Sequence, residues 1–240
     1  MAAQGISTIG LESRSEWEAS VGYVTEGTIA VQCLVDLAAG RPALEFVVGT
    51  TGRPAFSWPE RSLLVHTTPE FSTAIDGLEE VRSVKCGNVI ADRLEEEFGL
   101  VFILGPGLFA LPTQDDQLRC FRNAAEHLSD GGHFLVEVPS SLSAWIENGK
   151  CWTIEVSPDR VVFLVKRTDL VAQRIAQCYV EMRDGETPKV RSMIRRYASP
   201  AEMDLMAQMA GLQLVRRWGG WEGHEFTKAS GTVISVYEKQ

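Results

Sequence analysis

Histidine is the side chain best suited to acid–base chemistry near neutral pH, and this sequence contains four histidines. His66 follows a short apolar run, where it could act as a base or be a hydrogen-bonded residue at the end of a strand. His127 and His133 flank the end of a predicted helix, and we interpret both as structural. His224 lies in the Gly-rich segment 221–225. It is therefore the histidine that we expect to reach a ligand.

Motifs of the common hydrolases and metalloenzymes are absent from the sequence. There is no nucleophile elbow, no His-Glu-x-x-His and no convincingly matched pair of carboxylates. The cysteines are scattered, odd in number and never spaced as Cys-x-x-Cys: Cys33, Cys86, Cys120, Cys151 and Cys178. This spacing favours neither a disulfide framework nor a zinc site. We predict no metal and a reduced, cytoplasmic setting, and the catalytic residues stay unassigned.

Charge and hydropathy exclude several classes of partner. The net charge of −9 argues against a nucleic-acid partner, which needs clustered Lys and Arg. The one basic cluster, 191–196, falls in an alternating stretch and is interpreted as a strand with a solvated face. No apolar run approaches the roughly 18 residues of a membrane span, and residues 1–18 lack the features of a signal peptide. We expect a soluble protein without membrane contact.

The elements that would position any site follow an α/β order. Short apolar runs at 43–48, 62–66, 81–86, 100–104 and 133–138 predict strands that are buried on both faces, as a parallel sheet requires. A helix is predicted at 114–128, where apolar residues recur on one stripe. A helix that begins after Ser199 and strands at 213–218 and 232–238 complete a doubly wound sheet with a terminal antiparallel pair.

The domain organisation is a single unit with one insertion. We predict one domain over 1–240, with N-terminal helices within 1–40. Alternating patterns separated by turn residues predict antiparallel strands within 151–198. These strands are inserted between two α/β units, where they would form a lid or a dimer surface.

Three segments carry a resemblance to a known family. Glu45 leads into the turn 49–52, the segment 113–132 contains the central helix and a following Asp-Gly-Gly turn, and 196–221 ends in Trp-Gly-Gly-Trp. These segments resemble class I S-adenosylmethionine-dependent methyltransferases that act on natural products. The resemblance implies a Rossmann-like methyltransferase fold with an inserted antiparallel lid.

The same resemblance implies a cofactor site from which this sequence departs. The family's glycine loop falls on Gly49 and Gly52, after Glu45, with Val47 where a first glycine is expected. The acid that binds the ribose falls on His66, and the acid on the adenine side falls on Asn88. The fourth strand opens with Phe98-Gly99, where the family often has an aspartate. Two prolines at 54 and 59 also disfavour the first crossover helix.

We predict from these departures that the S-adenosylmethionine site is degenerate and that the protein uses no cofactor. The alternative is that other residues, such as Glu45 or Glu70, have taken over and that the cofactor is retained. If the cofactor site has decayed, the substrate cleft at the carboxyl ends of the strands remains. Its candidate residues are aromatic, and each has a plain packing role as its alternative: Trp17, Tyr23, Trp58, Phe109, Trp145, Trp152, Trp218 and Trp221, together with His224.

Three functions follow from this reading. The first is a cofactor-independent cyclase, a pericyclase that closes a polyene or polyketide substrate by intramolecular cycloaddition, because shape alone can supply part of such a barrier. The second is an S-adenosylmethionine-dependent small-molecule methyltransferase with an unusual loop. The third is a non-catalytic partner subunit, with the inserted strands as a surface for a homodimer.

Overall fold

The computed structural model describes residues 28–48, 63–67, 81–140 and 151–240. The helices in these ranges are α1 (Thr28–Ala38), α2 (Gln114–His127) and α3 (Pro200–Met209), with a 3₁₀ helix at Gly105–Ala110. The strands are β1 (Ala43–Val47), β2 (Leu63–Thr67), β3 (Val81–Cys86), β4 (Phe98–Ile103), β5 (Leu128–Pro139), β6 (Cys151–Val156), β7 (Arg160–Asp169), β8 (Arg174–Arg183), β9 (Lys189–Arg196), β10 (Leu212–Trp218) and β11 (Thr232–Lys239).

Seven strands form the main sheet in the order β10-β11-β5-β4-β1-β2-β3. The pairs β1–β2, β2–β3, β1–β4 and β4–β5 are parallel, whereas β11 runs antiparallel to both β5 and β10. The predicted doubly wound sheet with a terminal antiparallel pair is confirmed.

Both faces of the main sheet are covered, which explains the apolar runs in its strands. Every residue of β4 is buried. On one face α2 and α3 pack over a core that includes Phe121, Phe134 and Tyr237, whose rings meet edge to face. On the other face α1 packs through Leu34 against Leu100 and its neighbours. A strand that is buried on both sides cannot alternate polar and apolar residues.

The junction between α2 and β5 is tighter than the sequence predicts. We expected a turn at 130–132 before a strand at 133, but β5 already begins at Leu128, directly after the helix. Leu128 pairs with Phe98, and the Ser129 hydroxyl donates to the Phe98 carbonyl at 3.1 Å. Gly131, with φ of 66°, lies inside this irregular strand start and supplies the backbone conformation that other residues adopt at a cost.

Four antiparallel strands, β6-β7-β8-β9, form a second sheet, here called the inserted sheet. Its outer face is largely apolar and partly exposed, with Arg167 towards one end: Val156, Val161, Phe163, Val165, Val180, Met182, Val190 and Ile194. Its inner face is more polar and more buried: Trp152, Arg160, Leu164, Lys166, Gln177, Tyr179, Glu181, Arg191 and Arg195. The predicted inserted antiparallel sheet is therefore present.

The end of β9 corrects the sequence analysis. We predicted a solvated face for the basic cluster 191–196, but Arg195 and Arg196 are only 7% and 5% exposed. Nη1 of Arg196 donates to Gln117 Oε1 of α2 at 2.6 Å. Nη2 of Arg196 donates to Gln173 Oε1 at 2.7 Å and to Glu202 Oε1 of α3 at 2.6 Å.

Arg196, Gln117, Gln173 and Glu202 are here called the Arg196 network, and their buried polar groups are paired with one another or with the backbone. The Gln117 side-chain amide donates to the carbonyls of Leu108 and Arg196 at 3.1 and 2.8 Å. Burial of the Glu202 carboxyl raises its pKa, but hydrogen bonds from Arg196 and Gln173 outweigh burial and hold the pKa below its ordinary value. Glu202 is therefore an anion in the folded protein, and it compensates the buried guanidinium.

Replacement of Arg196 tests how strongly this network stabilises the fold. Arg196→Met removes the cation that compensates the Glu202 carboxylate and leaves the amide oxygens of Gln117 and Gln173 without this donor, and we expect a loss of about 3 kcal/mol in the free energy of unfolding. The control is Arg174→Met, because Arg174 is exposed in β8 and pairs with Arg196 in register. It should change stability by no more than about 0.5 kcal/mol. Urea titration measures both, and equal losses would contradict the network's role.

Candidate functional site

The carboxyl ends of the first three strands lie side by side along one edge of the main sheet. Val47 of β1 is in register with Thr67 of β2, and Thr67 is in register with Cys86 of β3. Chain order reverses at β1, which pairs with β2 on one side and with β4 on the other. Ligands of open α/β sheets bind in the crevice at such a switch point. This edge is the candidate site.

Two predicted cofactor residues lie at this edge and a third lies on β1. His66 is the fourth residue of β2, in register with Phe46 and Lys85. Asn88 follows the last residue of β3 by two positions. Glu45 is buried in the middle of β1, beside Phe102 of β4. The backbone topology thus brings His66 and Asn88 to one edge of the sheet.

Asn88 begins a tight turn after β3. Its backbone carbonyl accepts from the amides of Ala91 and Asp92 at 2.9 and 2.8 Å. Its side-chain Oδ1 accepts from the Ile90 amide at 3.1 Å, and its own amide donates to Asp92 Oδ2 at 2.6 Å. Asn88 is exposed. An amide oxygen has two lone pairs, so Oδ1 retains one for a ligand donor.

The segment after β4 forms the next part of the edge. Gly105 begins the 3₁₀ helix, and its amide donates to Glu137 Oε2 of β5 at 2.9 Å. Gly107 lies so close to β4 that a Cβ would be 2.8 Å from Ile103 Cγ1. Nη1 of Arg195 donates to the Pro106 carbonyl at 3.2 Å. The 3₁₀ helix is thus held by one hydrogen bond to β5 and by another to β9 of the inserted sheet.

Predicted substrate residues fall in three different surroundings. Phe109 has no exposed surface and belongs to the core beneath α2 and α3. Trp152 is half-buried on the inner face of the inserted sheet, where Lys166 Nζ lies 4.9 Å above its ring. Trp218, at the end of β10, packs against the core on the α1 side.

The loop between β10 and β11 holds the other two described candidates. The Trp221 indole N–H donates to Glu137 Oε1 at 3.0 Å, so both oxygens of this buried carboxylate have partners. His224 is exposed, and its backbone carbonyl accepts from the Gly219 amide at 2.8 Å. Trp17, Tyr23, Gly49, Gly52, Trp58 and Trp145 lie outside the described residues, as does the side chain of His66. The predicted substrate roles of the aromatic residues and His224, and the predicted cofactor roles of Gly49, Gly52 and His66, stay predictions.

Gly99, which replaces the aspartate often found in the family, lies away from the candidate site. It is at the amino end of β4, where its amide donates to the Pro42 carbonyl at 2.9 Å. A Cβ at this position would be 2.5 Å from the Ala38 carbonyl oxygen and 2.7 Å from Arg41 Cβ. Close packing of the α1–β1 connection therefore explains this glycine. Its presence is no evidence that a cofactor contact was lost at the carboxyl edge.

Neither a metal centre nor a membrane span occurs among the described residues. Among them, no group of three or more His, Cys, Asp or Glu side chains could hold a metal ion. In the same part of the chain, no helix is long and apolar enough to span a membrane.

Comparisons with known proteins cover almost the whole chain. No family model matches it. The CcbJ methyltransferase from Streptomyces caelestis is 28% identical, with a TM-score of 0.80 and 95% of each chain covered. Cypemycin N-terminal methyltransferase from a Streptomyces species is 23% identical over 208 residues, 84% of each chain. CalS10, an amino pentose methyltransferase from Micromonospora echinaspora solved with S-adenosylmethionine bound, is 14% identical, with a TM-score of 0.67 and coverage of 98% of this chain and all of that one.

The chain has the fold of a class I methyltransferase. The resemblance to the natural-product branch of this family is confirmed. The prediction that the protein uses no cofactor is wrong, because its relatives are methyltransferases and CalS10 was solved with S-adenosylmethionine bound. The physical error was to count each departure from the motif as a lost contact. Asn88 retains an acceptor oxygen, and Gly99 lies at the opposite edge of the sheet.

Sequence reasoning missed the contacts of several residues that shape this edge of the sheet. Glu137 is a charged residue within the apolar run 134–138, and that interruption was a usable signal. Asn123 and His127 of α2 contact the turn that follows β3. Arg195 and Arg196 gave no signal of burial, because an alternating strand does not reveal which of its faces will be covered.

Restoration of the family aspartate tests the explanation of Gly99. Gly99→Asp forces a side chain against a backbone carbonyl, and we expect a loss of about 2 kcal/mol or more in stability. Affinity for S-adenosylhomocysteine, measured on the folded fraction, should not improve. Glu97→Asp serves as the control because Glu97 is exposed just before the same strand. Tighter binding by Gly99→Asp would show that the position belongs to the cofactor site after all.

Proposed function

We propose that this chain is an S-adenosylmethionine-dependent methyltransferase that methylates an amine of a small natural product. The observation that carries the proposal is the end-to-end match with the CcbJ methyltransferase at 28% identity. Two relatives support an amine as acceptor: one is named for methylation of an N-terminus and the other for an amino pentose. The alternative function of the sequence analysis is thus better supported than cofactor-independent cyclisation.

The described residues fit the adenosine end of this cofactor. The adenine amine needs an acceptor, and the exposed Asn88 Oδ1 has a free lone pair beside the carboxyl end of β3. The turn that presents Asn88 is short and closed by three backbone amides that donate to Asn88 oxygens. A fixed acceptor costs less conformational entropy on binding than a mobile one. A neutral amide makes a weaker bond than the family's carboxylate, because charge-assisted bonds are about twice as strong.

The protein's own contribution to the reaction would be positioning. When bound, the cofactor supplies a methyl group on a positively charged sulfur, which a neutral amine can attack. An acceptor that is protonated as an ammonium must lose that proton before it can attack, and the methylated nitrogen loses one afterwards; no described residue is assigned as the base. Glu137 and Arg195 hold the 3₁₀ helix at the carboxyl end of β4, beside which the acceptor would lie. Holding two reactants in line can lower the barrier by several kcal/mol.

The proposal is tested first by cofactor binding. Wild-type protein should bind S-adenosylmethionine and S-adenosylhomocysteine with micromolar affinity in isothermal titration calorimetry. It should also transfer labelled methyl from S-adenosylmethionine to members of a panel of primary and secondary amine natural products. Absence of binding by protein that is folded by circular dichroism would overturn the proposal.

A single substitution tests the adenine contact. Asn88→Ala removes one neutral hydrogen-bond acceptor, and we expect the dissociation constant for S-adenosylhomocysteine to rise about three- to tenfold. Gln213→Ala is the matched control, because Gln213 is an exposed amide on β10, far along the sheet from β3. Calorimetry on both variants decides the point. Unchanged affinity in Asn88→Ala would remove Asn88 from the site.

We also propose that the outer face of the inserted sheet pairs two copies of this chain. Val190 and Ile194 of β9 are 62% and 56% exposed there, and Val156 of β6 is 72% exposed. A surface that meets its own copy must avoid like charges. On this face the exposed Arg167 lies towards one end, in the row of Ile194, and the rows through Phe163 and Val165 carry no charge. Exposed apolar patches of this kind mark interaction sites. A second copy suits it better than a charged partner.

Sedimentation velocity tests the dimer. Wild-type protein should sediment as a species of about twice the 26.5 kDa chain. The double variant Val190→Asp, Ile194→Asp should sediment as a monomer, because it brings four carboxylates together across the two-fold axis. Lys189→Asp, on the same strand but the opposite face, should remain dimeric. A wild-type monomer at micromolar concentrations would refute the proposal.

A further inference from the structure

Two side chains on successive turns of α2 contact the backbone of the segment 88–94, here called the β3 turn. Asn123 Nδ2 donates to the Val89 carbonyl at 2.8 Å. His127 Nε2 accepts from the Leu94 amide at 2.8 Å. These residues are four apart and so lie on one face of the helix. Together they hold the turn near both of its ends.

The hydrogen bonds define the state of the His127 ring. Nδ1 lies 2.7 Å from the Asn123 carbonyl oxygen, which can only accept, so Nδ1 carries the proton. Nε2 must then be the unprotonated nitrogen, because it accepts from a backbone amide. The Leu94 bond therefore requires a neutral imidazole. A proton added at Nε2 would place a donor against a donor.

The surroundings of His127 oppose that proton. From the main sheet the ring is flanked by Phe46 of β1 and Phe98 of β4, with centroids 6.2 and 6.3 Å away. Its charged neighbours are Arg93 of the β3 turn and Glu126 of α2, which form an exposed ion pair with each other at 3.5 Å. Burial is the main cause that lowers the pKa of His127 below its ordinary value.

The contacts go beyond what side-chain packing alone requires. A histidine that only filled space would need no partner on the turn. Here Nε2 accepts a hydrogen bond from the turn's backbone, and Nδ1 donates one that orients the ring. The Asn123 amide is likewise used to bind Val89, the residue next to Asn88. The position of the Asn88 acceptor therefore depends on these two side chains.

We infer that Asn123 and His127 are positioning residues that set cofactor affinity by fixing the β3 turn, and that protonation of His127 releases it. This inference rests on the proposed function, because it takes the turn to bind the adenine end of S-adenosylmethionine. Both side chains are buried behind the turn. Each acts through the turn's backbone.

The expected pH dependence follows from the direction of the pKa shift. With the turn closed, the pKa of His127 lies below its ordinary value of about 6.5; with the turn released, the ring regains that value. The state in which the β3 turn is hydrogen-bonded to His127 is then fully favoured above about pH 6.5, and it is progressively lost as pH falls below that value. Cofactor affinity should decline in the same range.

The experiment compares three variants by calorimetry with S-adenosylhomocysteine between pH 5.5 and 8. His127→Leu cannot accept from Leu94, and we expect about tenfold weaker binding at pH 8. His127→Gln keeps an acceptor but cannot be protonated there, so its affinity at pH 8 should be within about threefold of wild type and should lack the part of the decline at low pH that His127 causes. Asn123→Ala should weaken binding about threefold while keeping the wild-type pH dependence. Any other titrating group acts equally on wild type and His127→Gln, so the difference between their profiles isolates His127.

The matched control is Cys120→Ala, a cavity in the same helix. Cys120 is fully buried in the core, and burial raises the pKa of its thiol to about 12, so a neutral group is removed. This variant should lower the melting temperature yet leave affinity within about twofold of wild type. Hydrogen exchange should quicken in peptides covering 88–94 in His127→Leu and not in Cys120→Ala.

The outcomes separate the two proposals. If wild-type protein binds no S-adenosylhomocysteine, the proposed function fails and this inference fails with it. If wild type binds and His127→Leu binds equally well with the same pH profile, only the inference is overturned. If His127→Leu does not fold, the pH profile of His127→Gln still decides, since a slope like that of wild type refutes the role of His127.

Discussion

A buried guanidinium joins the two sheets of this protein. Arg196 sits where β9 ends and the chain returns to the main sheet, and it contacts α2, α3 and the connection between β7 and β8 at once. A buried cation is tolerated only when every donor is paired and an anion is near. Glu202 supplies that anion, and the amides of Gln117 and Gln173 supply the remaining acceptors. Because Gln117 also binds the Leu108 carbonyl, the network extends to the 3₁₀ helix at the candidate site.

Local patterns were enough to predict the main sheet. The apolar runs around β1, β4 and β5 had no alternation, which indicated burial on both faces, and the structure has that burial in β1 and β4. The Ser199 cap and the start of α3 at Pro200 were also predicted from residue type. In the structure, the Ser199 hydroxyl accepts from the Glu202 amide at 3.2 Å. Such features depend on neighbours in sequence. They are therefore visible without the tertiary structure.

Long-range contacts could not be predicted in this way. Arg195 and Arg196 alternate like solvated residues, and only the docking of β9 against the 3₁₀ helix determines that they are buried. Gly99 resembled a lost ligand contact. The reason for this glycine is that Arg41 passes close to β4, and that contact joins residues that are distant in the chain. Of the predicted site residues, His66 and Asn88 lie at one edge by the sheet topology, and their roles stay predictions. The placement of Glu137 and of the side chains behind the β3 turn depends on packing between elements.

Two regions of the inner face of the inserted sheet differ in how freely they can diverge during evolution. The end of the sheet that carries Ile175 and Arg195 packs into the core or the 3₁₀ helix, so selection for stability constrains it. The row formed by Trp152, Leu164, Tyr179 and Arg191 lies further out on the same inner face. Substitutions in that row leave the Arg196 network intact. Sequence change in that row therefore alters the inner face of the inserted sheet without disturbing the contacts that anchor this sheet to the rest of the protein.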